Sequence, residues 1–251
     1  RGWAPISSQP SAIDMRVLVT RPRPDAVETA DELMALGHEP VVAPLLAVTF
    51  DSGATLDVAG IQAVLITSAN GARALASATS RRDLPVFAVG AASAAAARQS
   101  GFERTESADG DVESLADLVL ARLAPKDGAL VHVAGTVTAG DLSGRLASSG
   151  FDVCRRVLYE AKPVGELPEE IEHPLEEGTL DAVLFYSPRT AAQFSDLVAA
   201  KGLAGHCSGI IALALSDAVA EKLSGLGFAD VRIAETPDQA SLFRALGVTS
   251  T

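Results

Sequence analysis

Six small hydroxyl-bearing residues follow short apolar runs, where a buried strand would give way to a polar turn. They are Thr20, Thr67, Ser68, Ser93, Ser187 and Ser216. Serine and threonine are favoured at helix N-caps, so each of them can serve only to start a helix. The same position also suits ligand binding, because free backbone N–H groups at a helix N-terminus bind carboxylates and phosphates. The residue types leave both interpretations open.

Three larger side chains could add to such a site. Arg21 and Arg189 lie in two of the turns, where each can supply positive charge or be solvated or held in a salt bridge. Tyr159, one of two tyrosines, lies in a long extended segment. Its phenol can donate a proton to a leaving oxygen, or its ring can pack against a hinge. His132 lies inside an apolar run and is expected to be a core histidine.

Several other chemistries lack the residues that they need. No G-x-G-x-x-G sequence opens a helix after a strand, which disfavours a dinucleotide site. Gly135 and Gly140 have phosphate-loop spacing, but Asp141 occupies the position of the lysine. Cys154 and Cys207 have neither metal-ligand nor redox spacing. Two cysteines of this kind suit a reducing cytosol and are expected to be small buried thiols.

Composition limits the class of protein. The chain has 251 residues, 48% of them hydrophobic, which allows two ordinary domains or one large one. No apolar run approaches the roughly 18 residues of a membrane helix. The net charge of -12 argues against a nucleic-acid partner, and it fits an anionic ligand poorly unless peptide amides at helix starts help to hold that ligand. Residues 1–14 lack a signal-peptide core and are interpreted as a leader, with folded structure starting at Met15.

Short uncharged strands alternate with helical stretches along the whole chain. The predicted strands are RVLVT, AVLIT, PVFAV, ALVHVA, DAVLFY, IIALAL and DVRIA. Such runs are typical of strands buried on both faces, so the pattern predicts an α/β fold with parallel sheets. The first helix, DAVETADELMALG, is expected to place Val27, Ala30, Leu33 and Met34 on one face and to end at Gly37.

The second half of the chain resembles the first. AVLITSANGARAL matches AVLFYSPRTAAQF and aligns Ser68 with Ser187. Three further pairs match in the same order: Leu33 with Leu146, Ser93 with Ser216, and Ser114 with Ser241. A constant order at slowly drifting separation predicts a duplicated chain.

A duplication allows two chain paths. The halves can be tandem domains, or the chain can begin one domain, build the second and return. Residues 41–51 and 152–164 are extended, occupy equivalent places in the repeat and are too long for tight turns. Paired side by side they would make a double connection, which favours the second path without requiring it. Strand-end turns facing each other across a cleft could then hold a large polyanion.

Six segments together resemble the uroporphyrinogen-III synthase family: RVLVTRP, LITSANGARAL, FAVGAASAAAARQSGF, DVCRRVLYEAKP, DAVLFYSPRTAAQF and LALSDAVAEKLSGLGF. The resemblance runs from Arg16 to Leu246. It implies two similar parallel-sheet α/β domains joined by a two-stranded β ladder, with the chain leaving and re-entering the first domain. Residues 15–40 and 165–251 would form the first domain, 52–151 the second, and 41–51 and 152–164 the connections.

The resemblance also implies an activity. Members of the family are cyclising lyases of tetrapyrrole (haem) biosynthesis that convert linear hydroxymethylbilane into uroporphyrinogen III, with loss of water and without a metal or organic cofactor. Hydroxide leaves the first ring, the substituted carbon of the fourth ring attacks the resulting azafulvene, and a spiro intermediate fragments and recloses with that ring inverted. The resemblance suggests a monomer and allows a transient hand-over of substrate from the preceding enzyme. The composition indicates a cytoplasmic protein without a nucleic-acid or membrane partner.

By the same resemblance Tyr159 assists the departure of hydroxide. The implied substrate-binding residues are Thr20, Arg21, Thr67, Ser68, Asn70, Gly90, Ser93, Ser187, Arg189 and Ser216. Ser93 and Ser216 stand where threonine is common in the family, and AGTVTAGDL lacks a basic residue that many relatives carry. The main alternative is a non-catalytic, hinged two-domain binder of a small polyanionic solute.

Overall fold

The structure is a computed structural model that describes residues 15–137 and 140–247; the predicted leader, residues 1–14, lies outside the described residues. Over the described ranges the strands are β1 (Arg16–Val19), β2 (Glu39–Val42), β3 (Leu46–Phe50), β4 (Ile61–Ile66), β5 (Val86–Ala88), β6 (Thr105–Ser107), β7 (Ala129–Gly135), β8 (Val153–Pro163), β9 (Ala182–Phe185), β10 (Ile211–Ala214) and β11 (Asp230–Ile233).

Helices alternate with these strands. They are α1 (Asp25–Ala35), α2 (Ala69–Ala78), α3 (Ala91–Gln99), α4 (Val112–Arg122), α5 (Leu142–Ser148), α6 (Glu169–Glu177), α7 (Pro188–Ala200), α8 (Asp217–Ala220) and α9 (Gln239–Leu246). Among the helices in the described part of the chain, none has the length and apolar character needed to cross a membrane.

The chain divides into two compact units. Unit 1 contains the described residues up to Ala47 and from Pro163 onward, and unit 2 is Val48–Lys162. The chain therefore leaves unit 1, builds unit 2 and returns. It makes the two passages in β3 and β8, which are neighbours in one sheet. The backbone N–H of Asp51 donates to Leu158, and that of Val164 donates to Leu45, so the two strands form an antiparallel ladder.

Unit 1 is built on a parallel sheet with the strand order β11-β10-β9-β1-β2. Its central strand β9 is buried at every position, because helices cover both faces, and this explains the uncharged sequence of that strand. On one face Phe185 and Phe194 pack edge to face, with ring centroids 5.2 Å apart.

Unit 2 contains a six-stranded sheet with the order β3-β8-β7-β4-β5-β6. The run β8-β7-β4-β5-β6 is parallel and repeats the order β2-β1-β9-β10-β11 of unit 1. One face of this sheet packs against α2 and α3, in a core that includes Leu75 and Ala97; we call it the α2 face. The opposite face packs against α4 and α5, through Leu115 and Leu146.

The N-cap residues of the helices show which positions of the two units are structurally equivalent, and they differ in one place from the pairs matched by sequence. Ser68 and Ser187 are equivalent N-caps, and each accepts a hydrogen bond from the backbone N–H three residues later. The predicted pairing of Ser93 with Ser216 is corrected, because Ser216 caps α8 whereas Gly90 caps α3. Ser93 instead lies inside the first turn of α3 and is 5% exposed.

The predicted buried face of α1 is partly wrong. Ala30 and Leu33 are buried as expected, but Val27 is 40% and Met34 55% exposed. The buried stripe consists of Ala26, Thr29, Ala30 and Leu33, which follows the i, i+3, i+4, i+7 spacing of one helix face. Val27 and Met34 lie on the adjacent stripe, one residue further round the helix.

Candidate active site

Tyr159 reaches its position through a β-bulge in β8. Along the parallel pair, Ala134 lies opposite Val157, but Gly135 lies opposite Tyr159, so one extra residue is inserted in β8. A regular strand would send Leu158 and Tyr159 to opposite faces of the sheet. Here both pack against the core on the α2 face. The bulge therefore turns the tyrosine toward the helix that follows β4, as bulges commonly re-aim functional side chains.

The phenol of Tyr159 is hydrogen-bonded to Ser68. The two oxygens, Ser68 Oγ and Tyr159 Oη, are 2.8 Å apart. Ser68 Oγ also accepts the backbone N–H of Gly71 at 3.1 Å, as the N-cap of α2. Two residues from opposite ends of unit 2 in sequence, both expected to be functional, are therefore brought into direct contact.

Gly135 supports the other side of the ring. A Cβ atom built on Gly135 would lie 2.8 Å from Cε2 and 3.0 Å from Cζ of Tyr159, which is closer than non-bonded atoms approach. Only glycine at this position leaves room for the ring. The ring of Phe50 lies nearby, with centroids 6.4 Å apart and the planes tilted by 47°.

A surface pocket of about 260 Å³ opens beside the phenol, within unit 2. Its lining is Thr49, Phe50, Asp51, Thr136, Val157, Leu158, Tyr159 and Glu160. Phe50 and Val157 are 38% and 44% exposed, so the pocket has an apolar wall. Glu160 is paired with Lys162 at 3.0 Å, and Asp51 accepts the N–H of Gly53. The pocket thus combines a phenol, an apolar wall and two carboxylates.

In unit 2, the neighbouring strands β4 and β5 are each followed directly by the N-terminus of a helix, α2 and α3 respectively. Thr67 and Ser68 precede α2, and Asn70 in its first turn accepts a hydrogen bond from Arg73. Gly90 precedes α3 without a capping side chain, and the next two residues are exposed. The first amides of α3 therefore have no side-chain partner at the cap, which is the arrangement that accepts an anion.

Unit 1 has a similar edge at the ends of β9 and β10. Ser187 caps α7 through the N–H of Thr190 at 3.2 Å, and Arg189 lies half-buried in the first turn of the same helix. Ser216 precedes α8 and makes no side-chain capping bond. Hydroxyl groups and helix starts thus lie at the carboxyl edge of each sheet, where parallel α/β sheets bind ligands.

Two of the expected binding residues in unit 1 form hydrogen bonds to other residues of the unit. Thr20 is fully buried, and its hydroxyl donates to the carbonyl of Leu184 at 2.9 Å. Arg21 stacks over the ring of Tyr186 at 4.1 Å and donates to Gln239 at 2.9 Å. Burial raises the pKa of Tyr186 to about 12, with Arg21 opposing that shift. These contacts give both residues a structural role in unit 1.

His132 is the buried core histidine that the sequence indicates. It is 3% exposed on β7, and Nδ1 lies 3.4 Å from Ser143 Oγ. Burial, with a smaller contribution from the charge of Arg155, lowers its pKa to about 4. The ring is therefore neutral at physiological pH, and it is absent from the lining of the Tyr159 pocket.

Sequence reasoning missed Gly135, Phe50 and Thr136 as parts of the site. The sequence draws attention to Gly135 only through its spacing from Gly140. The signal that could have found it is a glycine at the end of a strand, which often marks a close approach by another group. Phe50 and Thr136 carry no comparable signal, because their relevance depends on the bulge in β8.

Comparison with known proteins gives a consistent result. The family model described as uroporphyrinogen-III synthase HemD matches residues 27–244. No curated protein sequence matches significantly. The fold is similar to that of a mutant uroporphyrinogen III synthase from the extremely thermophilic bacterium Thermus thermophilus, at 22% identity over 93% of this chain and 99% of that chain, with a TM-score of 0.53. It is also similar to uroporphyrinogen-III synthetase from Helicobacter pylori, at 16% identity over 94% and 100% of the two chains, with a TM-score of 0.61.

The two solved structures support the α/β architecture with two mostly parallel sheets, and the family model spans most of the sequence, including Ser68, Gly135 and Tyr159. This chain belongs to the uroporphyrinogen-III synthase family.

Proposed function

We infer that this chain closes linear hydroxymethylbilane into uroporphyrinogen III, inverting the fourth pyrrole ring and releasing water. Membership of the family supports the reaction. The observation that carries the assignment of the site is the phenol of Tyr159, held 2.8 Å from Ser68 at the wall of a pocket of about 260 Å³.

We assign Tyr159 the role of proton donor. As the bond between the hydroxymethyl carbon and its oxygen breaks, the electron pair leaves with the oxygen and the phenol proton completes a water molecule. The lone pair of the pyrrole nitrogen fills the vacancy at carbon, which gives a cationic azafulvene. The phenolate recovers one proton when the cationic intermediate returns to a neutral macrocycle. Asp51 favours the cation over the neutral ring, because its charge lies at the same pocket, whereas the charge of Glu160 is balanced by Lys162.

The carboxylate arms of the substrate require anion binding despite the net charge of -12. We propose that peptide amides at helix starts provide it, including those that follow Gly90, together with the side chains of Thr67, Asn70, Ser187, Arg189 and Ser216. The amides at the start of α3 are the strongest candidates, since no side chain caps them. We leave Thr20 and Ser93 out of this proposed set because both are buried, and Arg21 because its guanidinium bonds to Gln239. Ser68 is also left out, because its hydroxyl contacts Tyr159.

We further propose a cytoplasmic monomer that receives hydroxymethylbilane from the preceding pathway enzyme. The free bilane closes by itself without inversion, so a short transfer would limit that side reaction. Sedimentation at micromolar concentration tests the first point, with a single species of about 25.8 kDa expected. Mixing with the preceding enzyme tests the second, with less non-inverted product expected than from the two enzymes used in succession.

The activity is tested by product analysis. Freshly prepared hydroxymethylbilane is incubated with the protein, the products are oxidised, and the type I and type III isomers are separated. We expect the type III isomer in excess over the type I isomer that forms without enzyme. Type I alone, with saturable binding of the bilane, would instead identify a non-catalytic binder.

A further inference from the structure

Ser68 shares one oxygen between a helix start and the phenol of Tyr159. That oxygen has one proton and two lone pairs. One lone pair accepts the N–H of Gly71 at 3.1 Å, and the contact with Tyr159 Oη at 2.8 Å uses either the proton or the second lone pair. If Ser68 is the donor in this contact, it has no proton left for a substrate carboxylate.

The direction of the bond follows from the role assigned to Tyr159. If the phenol gives its proton to the substrate, its O–H cannot at the same time donate a hydrogen bond to Ser68. Ser68 must then donate to the phenol oxygen. The result is an ordered chain in which Gly71 N–H donates to Ser68 Oγ and Ser68 O–H donates to Tyr159 Oη, while the phenol proton points away toward the pocket.

Such a chain couples the phenol to the N-terminus of α2. The amides at a helix start carry partial positive charge, and consecutive hydrogen bonds polarise one another. As the proton leaves Tyr159, negative charge develops on its oxygen, and the chain stabilises that charge. The effect is larger in the state with the transferred proton than in the resting state, which is the condition for catalysis rather than mere binding.

Gly135 completes the positioning from the opposite side. Because Gly135 has no side chain, the ring of Tyr159 can pack directly against its backbone. A Cβ atom at this position would lie only 2.8 Å from Cε2 of the ring. No positive φ angle is required at Gly135, so backbone conformation does not explain the glycine, whereas contact with the ring does. Ser68 and Gly135 therefore define the ring position by two independent contacts.

We propose that Ser68 is a positioning residue that acts through Tyr159, donating a hydrogen bond to the phenol and linking it to the start of α2, and that it is not a ligand of the substrate carboxylates. This proposal rests on the proton-donor role proposed above for Tyr159. It reassigns the residue that the sequence places among the substrate-binding hydroxyls.

The first test is a double-mutant cycle with Ser68→Ala, Tyr159→Phe and the combination, each assayed for kcat, KM and isomer ratio. Ser68→Ala is expected to lower kcat roughly tenfold with KM nearly unchanged. In the Tyr159→Phe background it is expected to change kcat by less than about twofold, because the group through which it acts is gone. Ser68→Thr, which retains the hydroxyl, is expected to restore most of the loss.

A matched control removes a helix cap of the same unit without touching the phenol. Asp111 caps α4 by accepting the N–H of Ser114 at 2.9 Å. Asp111→Ala should lose stability comparable to that lost by Ser68→Ala, while its kcat stays within about twofold of the wild type. Equal losses of kcat in the two cap variants would overturn the proposal, since capping alone would then explain Ser68.

A second readout does not depend on turnover. The chain has two tyrosines, so labelling with [13Cζ]tyrosine gives two NMR signals, and Tyr159→Phe identifies one of them. Ser68→Ala is expected to shift the Tyr159 signal and leave that of Tyr186 in place, and Asp111→Ala to shift neither. An unmoved Tyr159 signal would overturn the hydrogen bond itself.

The failures of the two proposals have different patterns. Similar losses from Ser68→Ala in both backgrounds, with a raised KM, would make Ser68 a substrate ligand and overturn only the present inference. More than half of the wild-type kcat in Tyr159→Phe would remove the proton-donor role and the inference with it. Absence of type III product from the wild type would contradict the proposed function before either variant is made.

Discussion

Replacement of Gly135 by alanine should damage catalysis more than folding. The added Cβ would lie 2.8 Å from Cε2, 3.0 Å from Cζ and 3.3 Å from Oη of Tyr159, whereas ordinary contacts begin at 3.4 Å. The ring must therefore retreat by about 0.6 Å, the difference between the first and last of these distances. A shift of this size stretches or misaligns the 2.8 Å bond to Ser68.

The expected cost follows from that displacement. Misplacing a reacting group by about 1 Å can lower the rate on the order of a hundredfold, so a shift of about 0.6 Å should lower kcat roughly 10- to 100-fold. Overpacking at one contact costs about 1–3 kcal/mol of stability. KM should change little, because Gly135 presents no side chain to the substrate.

The measurement combines initial rates with urea denaturation followed by circular dichroism. Gly209→Ala is the matched control, because a Cβ at Gly209 meets nothing within 4 Å and its φ angle is not positive. The control should keep the rate and stability of the wild type. A folded Gly135→Ala protein with kcat within about twofold of the wild type would refute the reasoning that the ring position limits the reaction.

Three further predictions concern the cores and their buried groups. Because the pKa of His132 is lowered from 6.5 to about 4 by burial, the unfolded chain binds a proton there first as the pH falls, so stability is full above pH 6.5 and is lost down to about pH 4. Urea denaturation of wild type and His132→Gln across this range should reveal a wild-type-specific loss of about 3 kcal/mol, and parallel pH profiles would contradict it. Phe194→Ala should lower the free energy of unfolding by about 3–5 kcal/mol, because the fully buried ring packs edge to face on Phe185. Thermal denaturation measures this loss, and a value below about 1 kcal/mol would show that the core closes over the cavity. Burial raises the pKa of Cys207 to about 11, so a thiol reagent at pH 8 should label the half-buried Cys154 first and Cys207 only on unfolding, whereas equal labelling rates would show that this core opens readily.

The sequence predicts the architecture well, because parallel α/β proteins alternate short uncharged strands with amphipathic helices. Each of the seven predicted strand runs forms a strand, and the aligned Ser68 and Ser187 start equivalent helices. Where the prediction fails, tertiary contacts decide. The strand β2 pairs with β1 over residues 39–42, whereas the sequence indicates only an extended segment that leads into a connection. Val27 and Met34 are exposed because the sheet meets the neighbouring stripe of α1.

The candidate site could be predicted only in part. The sequence indicates Tyr159 and Ser68 as candidate functional groups, but their contact depends on a bulge of one residue in β8. No local feature of DVCRRVLYEAKP indicates an inserted residue. Thr20 has the same type and strand-end position as Thr67, yet it is fully buried, while Thr67 is half-buried. The difference arises from strand pairing, because Thr20 reaches the carbonyl of Leu184 on the adjacent β9 strand.

The turnover of hydroxymethylbilane by Tyr159→Phe tests the central claim most directly, since this change removes one oxygen and leaves the ring against Gly135. Proton donation by the phenol predicts that kcat falls at least about tenfold, that KM changes by less than about threefold and that the remaining enzymatic product is still the type III isomer. A variant that retains more than about half of the wild-type kcat would show that the departing hydroxide takes its proton elsewhere.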